Sequence, residues 1–147
     1  MKASSPRSWA LEVALTGYSG TPLGKKLSLN PGMRVWFDAM PDGVRAEIDT
    51  PDLVELADPQ PDLDAAHIFV TERADMEAKL ATLRPLLNPA GFIWVSWPKK
   101  ISKVPTDITE DTIRAVILPA TDLVDVKVCA IDAVWSGLKL MIRKSAR

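Results

Sequence analysis

Two tryptophans and two lysines are the side chains of this sequence best suited to binding chemistry. Lys99 and Lys100 follow closely on Trp97, and Trp135 lies in the short link before the last predicted strand. An indole ring can stack on a flat group or a cation, and an ammonium group is a mobile point charge that suits a phosphate or carboxylate. The pattern predicts a site for a flat aromatic or anionic ligand. The alternative is that the indoles cap an apolar sheet and the lysines are solvated.

One strand–helix–strand unit must position these side chains. Residues 66–71 are a short apolar run, which is typical of a strand covered on both faces. Residues 72–87 change to the three- and four-residue spacing of an amphipathic helix, and residues 88–91 end it because their proline cannot continue a helix. Residues 92–97 are a second strand. Two buried strands joined by a helix are expected to be parallel.

Further strands on either side extend this unit to an α/β domain. Residues 33–39 and 53–56 predict two strands before it, and residues 123–131 and 138–143 predict an antiparallel pair after it. We therefore expect a three-layer, Rossmann-like α/β fold of about six mostly parallel strands that ends in an antiparallel pair. Strand 33–39 should lie beside the first strand of the central unit.

Two short patterns complete the expected structure. Asp107 and Glu110 have the spacing of a capping box, which predicts a helix that starts at Asp107 and that Pro119 closes. The apolar residues of the penultimate strand, Val126 and Val128, are expected in the core.

The carboxyl ends of the strands are the expected ligand edge, as in other open parallel sheets. We expect residues 17–22 to fold over this edge and the loop from Trp97 to Lys103 to engage the ligand. The pattern identifies no catalytic residue and no set of metal ligands. The predicted ligand-binding residues are Asp38, Met40, Asp42, Gly43, Thr71, Glu72, Trp97, Lys99, Lys100 and Trp135.

Composition narrows the classes of partner. The 147 residues predict a single domain with a loosely attached segment over about residues 1–16. A formal net charge of −1 argues against a general nucleic-acid binder, and no apolar run approaches the roughly 20 residues that span a bilayer. The single cysteine excludes an internal disulfide and fits a reducing cytoplasm.

The order of elements resembles the class I S-adenosylmethionine-dependent methyltransferase fold. Residues 87–95 are similar to its L-x-P-G-G turn into a central strand, and residues 30–32 form an Asn-Pro-Gly turn like the one before its first strand. The closing antiparallel pair is its usual ending. The resemblance covers residues from about 30 to about 143 and implies a truncated version, because one helix–strand unit between Asp58 and Ala66 is missing.

The cofactor loop departs from this family. Its pattern is an acid followed by alternating glycines; Asp38 keeps the acid, but Met40 and Asp42 replace the next two glycines. Both side chains are expected to crowd the ligand, and Asp42 adds a negative charge. We therefore expect no cofactor, with S-adenosylmethionine disfavoured. Asp58 lies where a ribose-binding acid could sit, but Asp58-Pro59 is equally a plain turn.

Four further segments resemble a small bacterial family of unknown function, which implies no activity: residues 17–23, 97–100, 125–130 and 135–138. The sequence favours a non-catalytic domain that binds a small anionic ligand or a protein at the carboxyl ends of the strands. One alternative is a methyltransferase with a degenerate cofactor loop. Another is a homo-oligomeric structural module whose tryptophan-bearing edge pairs with a partner.

Overall fold

The computed structural model describes residues 20–147 and has one six-stranded mixed sheet at its centre. The strand order is β2-β1-β3-β4-β6-β5, with β1 to β4 parallel and β6 antiparallel to both β4 and β5. This confirms the predicted α/β class, the closing antiparallel pair and the neighbours of the first strand. The strands are β1 (Arg34–Asp38), β2 (Val54–Glu55), β3 (Leu63–Phe69), β4 (Leu87–Pro98), β5 (Leu123–Ala130) and β6 (Trp135–Ile142).

Helices cover both faces of the sheet, which gives the three expected layers. Helices α3 and α4 pack Leu80, Leu83 and Ile113 against one face, and α1 and α2 pack Leu23 and Val44 against the other. None of the helices in residues 20–147 has the length and apolar character of a membrane-spanning segment. The helices are α1 (Leu23–Lys26), α2 (Asp42–Glu47), α3 (Arg73–Leu83) and α4 (Glu110–Ile117), with 3-10 turns at Arg84–Leu86, Lys100–Ser102 and Lys144–Ala146.

The central unit differs from its predicted boundaries for identifiable reasons. Helix α3 ends at Leu83, where Pro85 forces a 3-10 turn, because proline lacks the N–H that an α-helix needs. Strand β4 then begins at Leu87, and the predicted turn at 88–91 is an irregularity inside the strand rather than its boundary. Asp64 fixes this end of the sheet: it accepts hydrogen bonds from Arg34 N at 2.9 Å and from Asn88 Nδ2 at 2.8 Å.

Two predictions about the second half of the chain are wrong. Val126 and Val128 are 51% and 46% exposed, because β5 is an edge strand whose register shifts between Asp125 and Lys127. Helix α4 begins after Thr109, which forms its own capping box with Thr112. Asp107 is instead bound to another helix. Residues 17–19 and the segment over about residues 1–16 lie outside the part that the structure describes.

Candidate functional site

The carboxyl edge of the sheet brings the predicted residues to one side of the molecule. Asp38 ends β1, Thr71 follows β3, and the lysines follow β4. Trp135 reaches the same edge because it starts an antiparallel strand and pairs in register with Pro98. The edge therefore collects groups from three parallel strands and from the start of β6.

Asp38 forms an ion pair with a lysine from helix α3. The Lys79 ammonium contacts the Asp38 carboxylate and lies 2.9 Å from Asp75 Oδ2. Burial alone would lower the pKa of Lys79, but hydrogen bonds to the two carboxylates outweigh it and raise that pKa. Lys79 thus offsets part of the negative charge at the end of β1, because its single positive charge is shared with Asp75.

The turn after β1 is less crowded than the sequence pattern predicted. Ala39 adopts a φ of 55°, in the left-handed region that glycine favours. Met40 is half-buried and packs against the core beneath α1 and α2, so its side chain fills the protein interior. Asp42 is exposed as the first residue of α2, and a Cβ atom built on Gly43 would have no heavy atom within 4 Å. The backbone of this turn is open to a ligand.

Glu55 is a candidate ribose-binding acid that the sequence pattern did not single out. It ends β2, the neighbour of β1, and Arg45 donates to both of its oxygens, with Nη1–Oε1 at 2.7 Å and Nη2–Oε2 at 3.0 Å. The hydrogen bond to Glu55 raises the pKa of Arg45, whose guanidinium also lies over the Phe37 ring at 5.7 Å. Nucleotide-binding sheets hold ribose hydroxyls with an acid at this position. The end of the predicted strand 53–56 was the available signal, whereas counting along the chain pointed to Asp58 as an alternative to a plain turn.

The indole rings of Trp97 and Trp135 are less accessible to a ligand than their positions in the sequence predicted. Trp97 is 8% exposed and belongs to the core beside α3 and α4. Trp135 is half-buried and meets Phe69 edge-on, with ring centroids 5.1 Å apart. Lys99 is half-buried and Lys100 exposed, so the lysines of this loop remain open to solvent while the neighbouring indole does not.

His67 is a core residue beneath the edge. Its Nε2 lies 2.7 Å from Ser96 Oγ, and its ring stacks on Phe69 at 4.3 Å. Burial lowers the pKa of His67 to about 3, so the imidazole is neutral at physiological pH. Within residues 20–147, no three His, Cys, Asp or Glu side chains group closely enough to hold a metal ion.

Comparison with known proteins identifies the fold. No family model matches the chain, and no curated protein matches it in sequence. A protein from Sulfolobus solfataricus assigned to the type 11 methyltransferases is 12% identical over 82% of this chain and 89% of its own, with a TM-score of 0.54. The fold is that of the class I methyltransferases. LepI in complex with S-adenosylmethionine is 13% identical, with a TM-score of 0.50 over 82% of this chain and 39% of LepI.

These neighbours correct two expectations. The prediction of a non-catalytic domain that takes no cofactor is wrong on this comparison, which favours the methyltransferase alternative and points to S-adenosylmethionine. The prediction that Met40 crowds the ligand also fails. Met40 packs against the core, and Ala39 takes the conformation expected of a glycine, whereas the negative charge of Asp42 stays exposed at the start of α2. The residues present therefore fit the cofactor.

Proposed function

We propose that this domain binds S-adenosylmethionine at the carboxyl edge of its sheet and transfers the methyl group to an acceptor. The observation that carries the proposal is the shared fold, which spans 82% of this chain and 89% of the Sulfolobus protein. The open turn after β1 supports it, because close backbone approach is what this fold's cofactor loop provides. The half-buried Asp38–Lys79 pair supports it further, because the ammonium group reduces the negative potential that the cofactor's carboxylate would meet.

Four groups of this chain would serve the reaction. Glu55 would hold the ribose hydroxyls, and Arg45 orients its carboxylate through two hydrogen bonds. The backbone from Ala39 to Gly43 would face the cofactor. When bound, S-adenosylmethionine would supply a sulfonium methyl group for a nucleophilic acceptor, with the thioether as the leaving group. Glu72, which is exposed at the start of α3 on the edge that follows β3, can accept the proton that the acceptor loses.

Calorimetric titration of the protein with S-adenosylmethionine tests the proposal. We expect a dissociation constant on the order of 1 to 100 μM for the wild type. Glu55→Gln should weaken binding about tenfold, because a neutral amide is a poorer acceptor for the two ribose hydroxyls. Glu47→Gln is the matched control on the exposed surface of α2 and should bind like the wild type. Absence of binding at about 1 mM cofactor would overturn the proposed function.

We also infer a cytoplasmic location. The single cysteine, Cys129, is buried in the core and free of any disulfide, and burial raises the pKa of its thiol. A protonated, shielded thiol suits a compartment that keeps cysteines reduced. Fractionation of cells that express the tagged protein checks this assignment.

A further inference from the structure

The loop after β4 exposes apolar side chains among lysines. We call residues 99–105 the lysine loop. Ile101 at its tip is 82% exposed and Val104 is 40% exposed. Lys100 and Lys103 are exposed on either side of Ile101, and Lys99 is half-buried at the base. The exposed side chain of Ile101 contributes little to the stability of the fold, because apolar side chains stabilise a protein when they are buried.

The positive charge of the lysine loop is not compensated nearby. Within residues 20–147, no acidic group forms an ion pair with Lys99, Lys100 or Lys103. Lys79 and Arg114, by contrast, each bind at least two carboxylates. Three ammonium groups within five residues thus form a local positive patch on a chain of net charge −1.

The lysine loop is held in one conformation. Ser102 Oγ donates to Lys99 O at 2.6 Å, Lys103 N donates to Lys100 O at 3.1 Å, and Lys103 adopts a φ of 62°. Its base is tied to the rest of the fold, because Lys99 N donates to Val134 O at 2.6 Å. A preorganised loop loses little conformational entropy when a partner binds, so its few contacts count for more in affinity.

The chemistry of the lysine loop favours an acidic protein segment over the other polyanions. Single-stranded nucleic acids stack their bases on aromatic side chains, and residues 99–105 contain none, while the adjacent Trp97 is buried. Stable attachment to an anionic membrane requires a second signal, such as a lipid chain, beside a short basic cluster. Carboxylates paired with an apolar side chain match both features of the loop, the lysines and the exposed isoleucine.

We propose that the lysine loop docks an acidic segment of a protein, and that this protein is the methyl acceptor. Carboxylates of the segment pair with Lys99, Lys100 and Lys103, and one of its apolar side chains packs on Ile101. The identification of this protein as the methyl acceptor rests on the proposed function. The position of the loop supports it, because the loop leaves β4 at the same edge as Asp38 and Glu72. Docking there would bring the segment beside the site of methyl transfer.

Fluorescence anisotropy with a labelled peptide of four Glu-Glu-Leu repeats tests the docking. We expect the wild type to bind at about 50 mM salt and to lose affinity at about 300 mM salt, because the contacts are charged. The triple variant Lys99→Ala, Lys100→Ala, Lys103→Ala should weaken binding at least about tenfold, and Ile101→Ser about threefold. The matched control is Lys25→Ala, Lys127→Ala, Lys144→Ala, which removes the same charge from exposed lysines elsewhere and should stay within about twofold.

Three results would overturn the inference. The first is absence of peptide binding by the wild type, and the second is an equal loss in both triple variants. The third is a stronger dependence on the loop lysines for a uridine oligonucleotide or for phosphatidylserine vesicles than for the peptide. Titration with S-adenosylmethionine on the same preparations separates the two proposals: cofactor binding without peptide binding refutes docking alone, and peptide binding without cofactor binding refutes methyl transfer alone.

Discussion

Asp107 caps a helix to which it does not belong. Its Oδ1 accepts a hydrogen bond from the backbone N–H of Arg73, the first residue of α3, at 2.7 Å and across 34 positions of sequence. Glu72, the residue that precedes α3, makes no side-chain cap of its own. Thr106 Oγ1 also donates to Thr71 O at 2.7 Å. The segment after the lysine loop is therefore fastened to the end of β3, beside the proposed proton acceptor.

Removing this cap should destabilise the protein moderately. Asp107→Ala leaves the Arg73 N–H without its acceptor, and we expect a loss of about 1 kcal/mol in the free energy of unfolding. Asp107→Asn should retain most of it, because an amide oxygen can still accept the bond. Urea denaturation measures both, with the exposed Asp58→Ala as control. Equal stability of Asp107→Ala and wild type would show that the cap contributes nothing.

The buried histidine should make stability depend on pH. Burial lowers the pKa of His67 from 6.5 to about 3. At pH values between these two, His67 is protonated in the unfolded chain but not in the folded chain. Stability should be complete above pH 6.5 and fall by about 1.4 kcal/mol per unit as the pH drops through this window. Urea midpoints from about pH 4.5 to about pH 7.5 measure the slope. His67→Gln, which cannot take up that proton, should show a shallower slope; an identical one would refute the assignment.

Gly137 is required by the packing of β6 on the core. A Cβ atom there would lie 2.9 Å from Ile131 Cδ1 and 3.1 Å from Trp94 Cε3, and both of these neighbours are buried. We expect Gly137→Ala to lose about 1 to 3 kcal/mol through overpacking. Thermal denaturation of the variant and the wild type measures this loss. An unchanged melting temperature would mean that the core accommodates the added methyl group without loss of stability.

Gly43→Ala should separate stability from cofactor binding. The added methyl group meets no protein atom within 4 Å, and alanine favours the helical conformation of α2, so we expect a gain of up to about 1 kcal/mol. The same methyl group stands on the turn that would face S-adenosylmethionine, and affinity should fall several-fold. Calorimetry and urea denaturation on one preparation check both directions. Unchanged cofactor affinity would place the ligand away from this turn.

The central sheet was readable from sequence because its signals are local. Apolar runs in β3 and β4, separated by the helical spacing of Met76, Leu80 and Leu83, predict a parallel unit without reference to the rest of the chain. Edge position is not such a signal. The alternating valines of β5 have the same pattern in a central strand, and only the order of strands exposes Val126.

The candidate site was harder to predict because tertiary partners decide its chemistry. Asp38 is paired with Lys79, which lies on a helix that follows two further strands in the chain. Met40 resembles an obstruction in a sequence pattern, yet the direction of its side chain depends on the core beneath α1 and α2. Ala39 adopts a left-handed φ, which an alanine in the sequence does not predict.

The shortness of β2 has a consequence for local opening. This strand has two residues at the sheet edge, and the amides of Val54 and Leu56 reach β1 through hydrogen bonds of 2.9 and 2.8 Å to Met33 O and Val35 O. With an exposed side chain at Val54, such a strand opens at low free energy, so its amides should exchange with deuterium earlier than those of β3 and β4. A ligand held by Glu55 would have to close this strand first, and its binding would appear as slower exchange at these two amides.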